Sequence, residues 1–253
     1  MKIGCCSAIE NAGLLKEAGF DYIECTVTSL MAEADDQTFA PILQRYQASP
    51  LPTPVLNVFL PGDLKVVGPE VDWPRVEKYV NTALARANQI DAGMIVFGSG
   101  RSRAIPDGFD RDEAWAQLVR FLQVTADAAD ANDITIVIEP LNTKESNVLN
   151  SVAEGVKLAQ DVNRTSIRVL ADFYHMDEEN EPLDDLVQYA DWLEHIHVAD
   201  TGRRAPGTGS YPYTEFVQKL HQSGYDGLVS IECRWEDLAA EAGPAAQFLR
   251  RVL

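Results

Sequence analysis

Cysteine is scarce in this 253-residue chain: only Cys5, Cys6, Cys25 and Cys233 occur. Two are adjacent and none forms a C-x-x-C, which suits neither a disulfide framework nor a zinc knuckle and reads as reduced thiols in a cytoplasmic protein. Positive charge is short as well. Against 39 acidic residues stand 21 Lys and Arg, a formal net charge of −18. Such a surface repels phosphate backbones and anionic lipid, so neither nucleic acid nor a membrane surface is an expected partner. Long hydrophobic runs are missing too. The opening MKIGCCSAIE is too short in apolar residues for a signal peptide, and no segment approaches a membrane span. Without a secretion signal, the acceptor pattern Asn163-Arg164-Thr165 carries no weight. No glycine-rich turn follows the first strand candidate, and Gly98 and Gly100 do not make a dinucleotide fingerprint.

What is present is a regular alternation. Short β-branched runs at 2–6, 21–25, 55–59, 93–97, 134–139, 167–173, 193–199 and 227–232 read as strands. Helical patterns lie near 8–18, 36–48, 73–91, 110–131, 151–163, 182–191, 213–223 and 236–252. Asp72 before Trp73-Pro74, and Ser151 after the Asn150 loop, are helix starts. Glycine closes several helices ahead of the next strand, as in KEAGFDYIE and QIDAGMIVF. Apolar, non-alternating strands predict a parallel sheet covered on both faces. Eight β-α units in about 250 residues predict an α/β fold, a single (β/α)8 TIM barrel over 1–253, with a doubly wound open sheet as the rival.

Barrel active sites lie where strands end and βα loops begin. Reading those positions yields Glu139 on the fifth strand, Asp172 on the sixth, His197 on the seventh and Glu232 on the eighth. Three acids and an imidazole converging on an apolar-walled mouth would be costly without a cation. An oxygen-rich set with one imidazole suits Mn2+, Mg2+ or Co2+, and admits Zn2+. Each residue alone also has a plain structural reading, as a solvated loop acid or a satisfied core histidine. His195, two residues before His197 and roughly 6–7 Å deeper on the same strand face, is assigned to support from the core.

These residues lie in stretches that resemble the xylose-isomerase-like barrel superfamily, above all its sugar phosphate isomerase/epimerase group, which includes D-tagatose 3-epimerase, D-psicose epimerase and inosose dehydratase. IEPLNTKESNVLN resembles that group's fifth-strand motif, and LADFYHM its sixth-strand D-x-x-H-M. HIHVADTGRRAPGTG is similar to the seventh-strand H-x-A-D loop, and YDGLVSIE to the G-x-x-S-x-E of strand eight. The likeness covers about residues 90 to 235. It implies the metal ligands Glu139, Asp172, His197 and Glu232, with Glu139 and Glu232 as the acid/base pair. It also implies substrate contacts from Glu145, from His175 in the loop three residues beyond Asp172, and from Arg203.

The activity so implied is divalent-metal-dependent isomerisation or epimerisation of a small keto-sugar or keto-polyol through an enediolate. A lyase acting on a keto-inositol, dehydroshikimate or a 3-keto-glycoside is the alternative on the same scaffold. The related endonuclease barrels use a trinuclear zinc cluster, which four histidines and a charge of −18 argue against. Thr143-Lys144 stands where ketose epimerases often carry an arginine and an aromatic residue, and the first βα loop lacks their aromatics. The expected partner is a small carbohydrate; look-alike families include dimers and tetramers, which leaves a homo-oligomer open. Among the remaining residues, Gly98 and Gly100 are expected to let backbone approach substrate. Cys6 and Cys25 pack or line the pocket, Trp115 and Trp192 are core, Arg204 is a surface charge, and 177–181 is a solvated loop.

Overall fold

The computed structural model describes residues 1–253. Eight parallel strands close into a barrel in chain order: β1 (Lys2–Cys6), β2 (Tyr22–Thr26), β3 (Val55–Asn57), β4 (Met94–Phe97), β5 (Thr135–Ile138), β6 (Ile167–Asp172), β7 (Leu193–Val198) and β8 (Leu228–Ile231). Closure is made by β1 against β8, with Ile3 opposite Val229 and Cys5 opposite Ile231. The sheet is therefore a TIM barrel, with no open edge and no switch point. All eight expected strands are present: β1 with the expected bounds, β2 shifted by one residue and the other six trimmed by one or two.

Side chains alternate along each strand, so one set points inward and the other toward the helices. Tyr22, Val55, Val96, Val137 and Leu170 form a small buried cluster apart from the main core of 67 residues. They plug the inside of the barrel. Gly4 is required there, because a Cβ on it would lie 2.1 Å from the Tyr22 ring. Stepping by two from Val137 and Leu170 reaches Glu139 and Asp172, and from His195 and Ser230, which meet Glu24 inside the barrel, it reaches His197 and Glu232. The polar residues are thus the next inward layer above the plug.

The helices are α1 (Ala12–Glu17), α2 (Asp36–Gln47), α3 (Trp73–Asn88), α4 (Gly100–Arg103), α5 (Arg111–Ala131), α6 (Val152–Val162), α7 (Phe173–Glu178), α8 (Asp185–Gln188), α9 (Tyr213–Ser223) and α10 (Leu238–Val252). The expected caps hold: Asp72 accepts from the Arg75 N–H and Ser151 from the Glu154 N–H. No helix is long and apolar enough to cross a membrane.

Three expectations need correction. The helix expected over 182–191 is only the short α8 and a 3-10 turn at Ala190–Trp192. In its place α7 begins directly at the end of β6, because Asp172 Oδ1 accepts from the N–H groups of Tyr174 and His175 and so nucleates a turn. Residues 177 and 178 of the presumed solvated loop belong to that helix, and Glu181 accepts from the Val152 N–H. Trp115 and Trp192 are half-buried rather than core, with the Trp115 indole donating to Asp161 and Arg168 stacked on Trp192.

Candidate metal centre and substrate pocket

Glu139 follows the last residue of β5 and is nearly buried. Its backbone is fixed from two sides: its N–H donates to Phe97 O, and its carbonyl accepts from Arg103. Arg103, fully buried, also donates to Phe97 O at 2.9 Å, so one guanidinium ties the tips of β4 and β5 together. Burial pulls the Arg103 pKa down to about 10, against the Glu139 charge that raises it. Gly98 leaves the space into which the Glu139 side chain turns. A Cβ there would lie 2.1 Å from Glu139 Oε2, and one on Gly100 would meet Glu145 O and Leu141 at 3.0 Å. These glycines make room for the protein's own carboxylate and loop, and both also line the cavity above the cluster.

Asp172 divides its two oxygens between tasks. Oδ1 caps α7, and Oδ2 is buried with no hydrogen-bond partner. His197 is fully buried, with Nε2 2.9 Å from Glu24 Oε1 and Nδ1 3.2 Å from Glu139 Oε1 and 3.6 Å from Glu232 Oε2. Glu232 accepts from Asn57 Nδ2 at 3.4 Å and from Arg203 Nη2 at 2.5 Å. One donor atom from each of Glu139, Asp172, His197 and Glu232 lies within 4.8 Å of all the others.

The titration of the two glutamates is driven apart. Burial, and then the neighbouring Glu232 charge, raise the Glu139 carboxyl. Burial would raise Glu232 too, but hydrogen bonding and attraction to His197, with help from Arg203, hold it at about 2. Buried acids this close are stable only with compensating positive charge. An unpartnered carboxylate oxygen on Asp172, aimed among acceptors that already crowd one imidazole nitrogen, fits a divalent cation. Hard oxygens with a single imidazole suit Mn2+, Mg2+ or Co2+.

His175 is not a loop residue: it lies on α7 and is 3% exposed. Its Nδ1 accepts from the Asn142 N–H at 3.0 Å and lies 2.9 Å from Asn142 Nδ2, a pure donor. The proton therefore sits on Nε2, which has no partner and lies 3.8 Å from Asp172 Oδ2. Arg203 bridges Glu145 (3.1 Å) and Glu232 while lying over the Tyr174 ring. Its loop is organised by Asp200, whose buried carboxylate accepts from the N–H groups of Thr201, Gly207 and Tyr211. Arg204 points away to exposed Glu236, as expected of a surface charge.

A cavity of about 310 Å3 opens above this cluster, reached by Glu139, Arg203 and Glu232 from one side and Asn57, Val58 and Ser99 from the other. Val58 is exposed and holds φ +46°, a strained conformation for a β-branched residue. A larger cavity, about 460 Å3, lies between α2 and the ends of β1 and β2, and holds none of the four converging residues. Cys25 lines that one, whereas Cys6 packs within reach of Glu24 and His197.

All seven residues named from the sequence thus face one mouth. Four others were missed: Glu24, Asn57, Arg103 and Asn142. Glu24 left a trace, being a lone acid in the apolar run YIEC at the inward phase of β2; the other three gave none, since ordinary loop and strand-end polar residues look the same.

Residues 12–252 match the family model described as the xylose isomerase-like TIM barrel. A stretch of 124 residues is 35% identical to D-psicose 3-epimerase of Agrobacterium fabrum, covering 49% of this chain and 43% of that protein. Another, of 142 residues, is 32% identical to hydroxypyruvate isomerase of Escherichia coli, covering 54% of this chain and 55% of that protein. The match thus spans about half the length of these curated relatives. Among solved structures, D-psicose 3-epimerase with D-tagatose from Clostridium cellulolyticum H10 superposes with a TM-score of 0.88 at 21% identity, over 100% of this chain and 99% of that one. The chain belongs to the xylose isomerase-like TIM barrel family.

Proposed function

We propose that the protein is a divalent-metal-dependent epimerase or isomerase of a small keto-sugar or keto-polyol, with Glu139, Asp172, His197 and Glu232 as metal ligands. The convergence of their four donor atoms within 4.8 Å carries this reading. The similar proteins named D-psicose 3-epimerase and hydroxypyruvate isomerase support the substrate class. When bound, the cation supplies polarisation of the substrate carbonyl and charge stabilisation for the enediolate.

The chain's own groups supply the rest. Glu139 and Glu232 flank His197 and form the acid/base pair, one removing the proton next to the carbonyl and the other returning one. Return to the opposite face of the same carbon is epimerisation; return to the neighbouring carbon is isomerisation. Nε2–H of His175 donates to a substrate oxygen, a role matched to its lack of any protein partner. Arg203, spanning Glu145 and Glu232, orients the second glutamate and contacts substrate oxygens. A cavity of about 310 Å3 is at the small end for ligand sites, in keeping with a compact sugar.

The test is NMR of D-psicose, D-fructose or hydroxypyruvate incubated with Mn2+- or Mg2+-loaded protein in D2O. Deuterium is expected at a carbon next to the carbonyl. Formation of an enone without exchange would point to the dehydratase alternative, and no change across the panel would remove the assignment.

A further inference from the structure

We infer that Glu24 is the positioning residue of this centre: its buried carboxylate, shared between His195 and His197, fixes the His197 tautomer that leaves Nδ1 bare for a cation. The inference rests on the metal-dependent reading and concerns a residue of β2, outside the converging set.

Glu24 is completely buried, in the layer next to Tyr22. The plug beneath it, Tyr22, Val55, Val96, Val137 and Leu170, is apolar apart from the Tyr22 hydroxyl, so an acid here is the costly choice unless fully bonded. It is fully bonded. Oε1 lies 2.9 Å from His197 Nε2; Oε2 lies 2.9 Å from His195 Nε2 and 2.5 Å from Ser230 Oγ. An ionised carboxylate only accepts, so all three neighbours must donate. Ser230, having spent its proton on Glu24, accepts in turn from the Tyr22 hydroxyl at 2.8 Å. The donor chain therefore runs one way, from Tyr22 through Ser230 to Glu24, and both imidazoles carry a proton on Nε2.

For His197 the consequence lies on the opposite edge of the ring. With Nε2–H committed to Glu24, the Nδ1 edge faces Glu139 Oε1 and Glu232 Oε2, 3.2 and 3.6 Å away, and is the nitrogen left for a cation those carboxylates would share. The other tautomer would set a bare Nε2 against Glu24 Oε1 at 2.9 Å in a dry interior, two acceptors without a proton between them. His195 anchors the second oxygen of Glu24 and so prevents the carboxylate from rotating off His197. A carboxylate behind a ligating imidazole is a recurrent device for setting ring orientation and basicity.

Glu24→Gln keeps the volume but offers one acceptor and one donor, so it cannot accept from both imidazoles. Calorimetric titration of the metal-free full-length variant with Mn2+ should give a Kd weakened by about 10–100-fold relative to the wild type. Because the variant could fail to fold, a second measurement uses the wild type loaded with Mg2+ and labelled with 15N-imidazole histidine; only four histidines contribute. The expected spectrum has Nε2 protonated on both His195 and His197, with Nδ1 of His197 non-protonated. A His197 proton on Nδ1, or a folded Glu24→Gln protein with a Kd within about twofold of the wild type, overturns the inference while leaving the proposed function standing. A wild type that takes up no divalent ion at all removes both.

Discussion

From β5 to β8 the strand ends carry Glu139, Asp172, His197 and Glu232, whereas from β1 to β4 the inward positions near the mouth hold Cys6, Glu24, Asn57 and Gly98. The first arc presents its donor atoms to a common point. The second turns its polar atoms onto the first: Glu24 to His197, Asn57 to Glu232, and Gly98 as clearance for Glu139. The difference is electrostatic in origin. Three carboxylates gather on the first arc, whereas the one acid of the second, Glu24, is turned away from the common point onto His195, His197 and Ser230. It is over this second arc that the cavity extends, along Asn57, Val58 and Ser99.

Exchanging a residue of the charged arc should have the largest effect. Glu232→Gln is expected to lower kcat for ketose turnover by about 10^2–10^4-fold, with the melting temperature nearly kept, as read by deuterium exchange and thermal denaturation. Unchanged turnover would remove Glu232 from proton transfer. Next comes the clearance supplied by the β1–β4 arc. In Gly98→Ala the added methyl meets Glu139 Oε2 at 2.1 Å, so the carboxylate must move off the common point. Mn2+ affinity should fall by about tenfold or more, and an affinity equal to wild type would show that the two arcs are independent.

Arg103→Met tests the tie between the arcs. It strips two carbonyls of a buried charged donor, at about 1.5–3 kcal/mol each, and should lower the melting temperature by roughly 6–12 °C. Loss of activity without loss of stability would contradict that structural role.

The smallest effect lies outside both arcs, at Glu181. Burial, outweighing the Val152 N–H that lowers it, and then the nearby Asp185, raise its pKa from 4.5 to about 8. A carboxyl raised on folding binds its proton more tightly in the native state. Its stabilising contribution is therefore complete below about pH 4.5 and is lost as pH climbs through about 8. Glu181→Gln should melt several degrees higher than wild type at pH 9 and close to it at pH 4; equal curves at both would refute the shift.

The strands were legible because each is a short β-branched run bounded by glycine or a capping residue, and their parallel pairing because those runs are apolar on both faces. Glu139, Asp172, His197 and Glu232 stood out by position alone: each ends a buried strand with a side chain that burial penalises. The helix α7 was not legible. Its start depends on Asp172 acting as a cap, and in FYHMDEENE the acidic run masks the apolar spacing. His175 was therefore placed on a loop, although its ring is buried against Asn142. Arg103 was invisible for another reason: nothing local separates a buried arginine from a surface one, and its two carbonyl partners are 6 and 36 residues away.

Sequence by itself determined the eightfold alternation, the closed barrel and the identity of the polar residues at four strand ends, because short apolar runs and helical patterning are local and each strand end fixes its own side chain's facing. Only tertiary structure decided which atoms of those residues are committed and which are free. Hydrogen-bond partners such as Glu24 with His197, or Asn142 with His175, come from elements 173 and 33 residues apart, and a proton's place on an imidazole ring follows from the partner. Chain closure, not any local pattern, puts those partners within 3 Å.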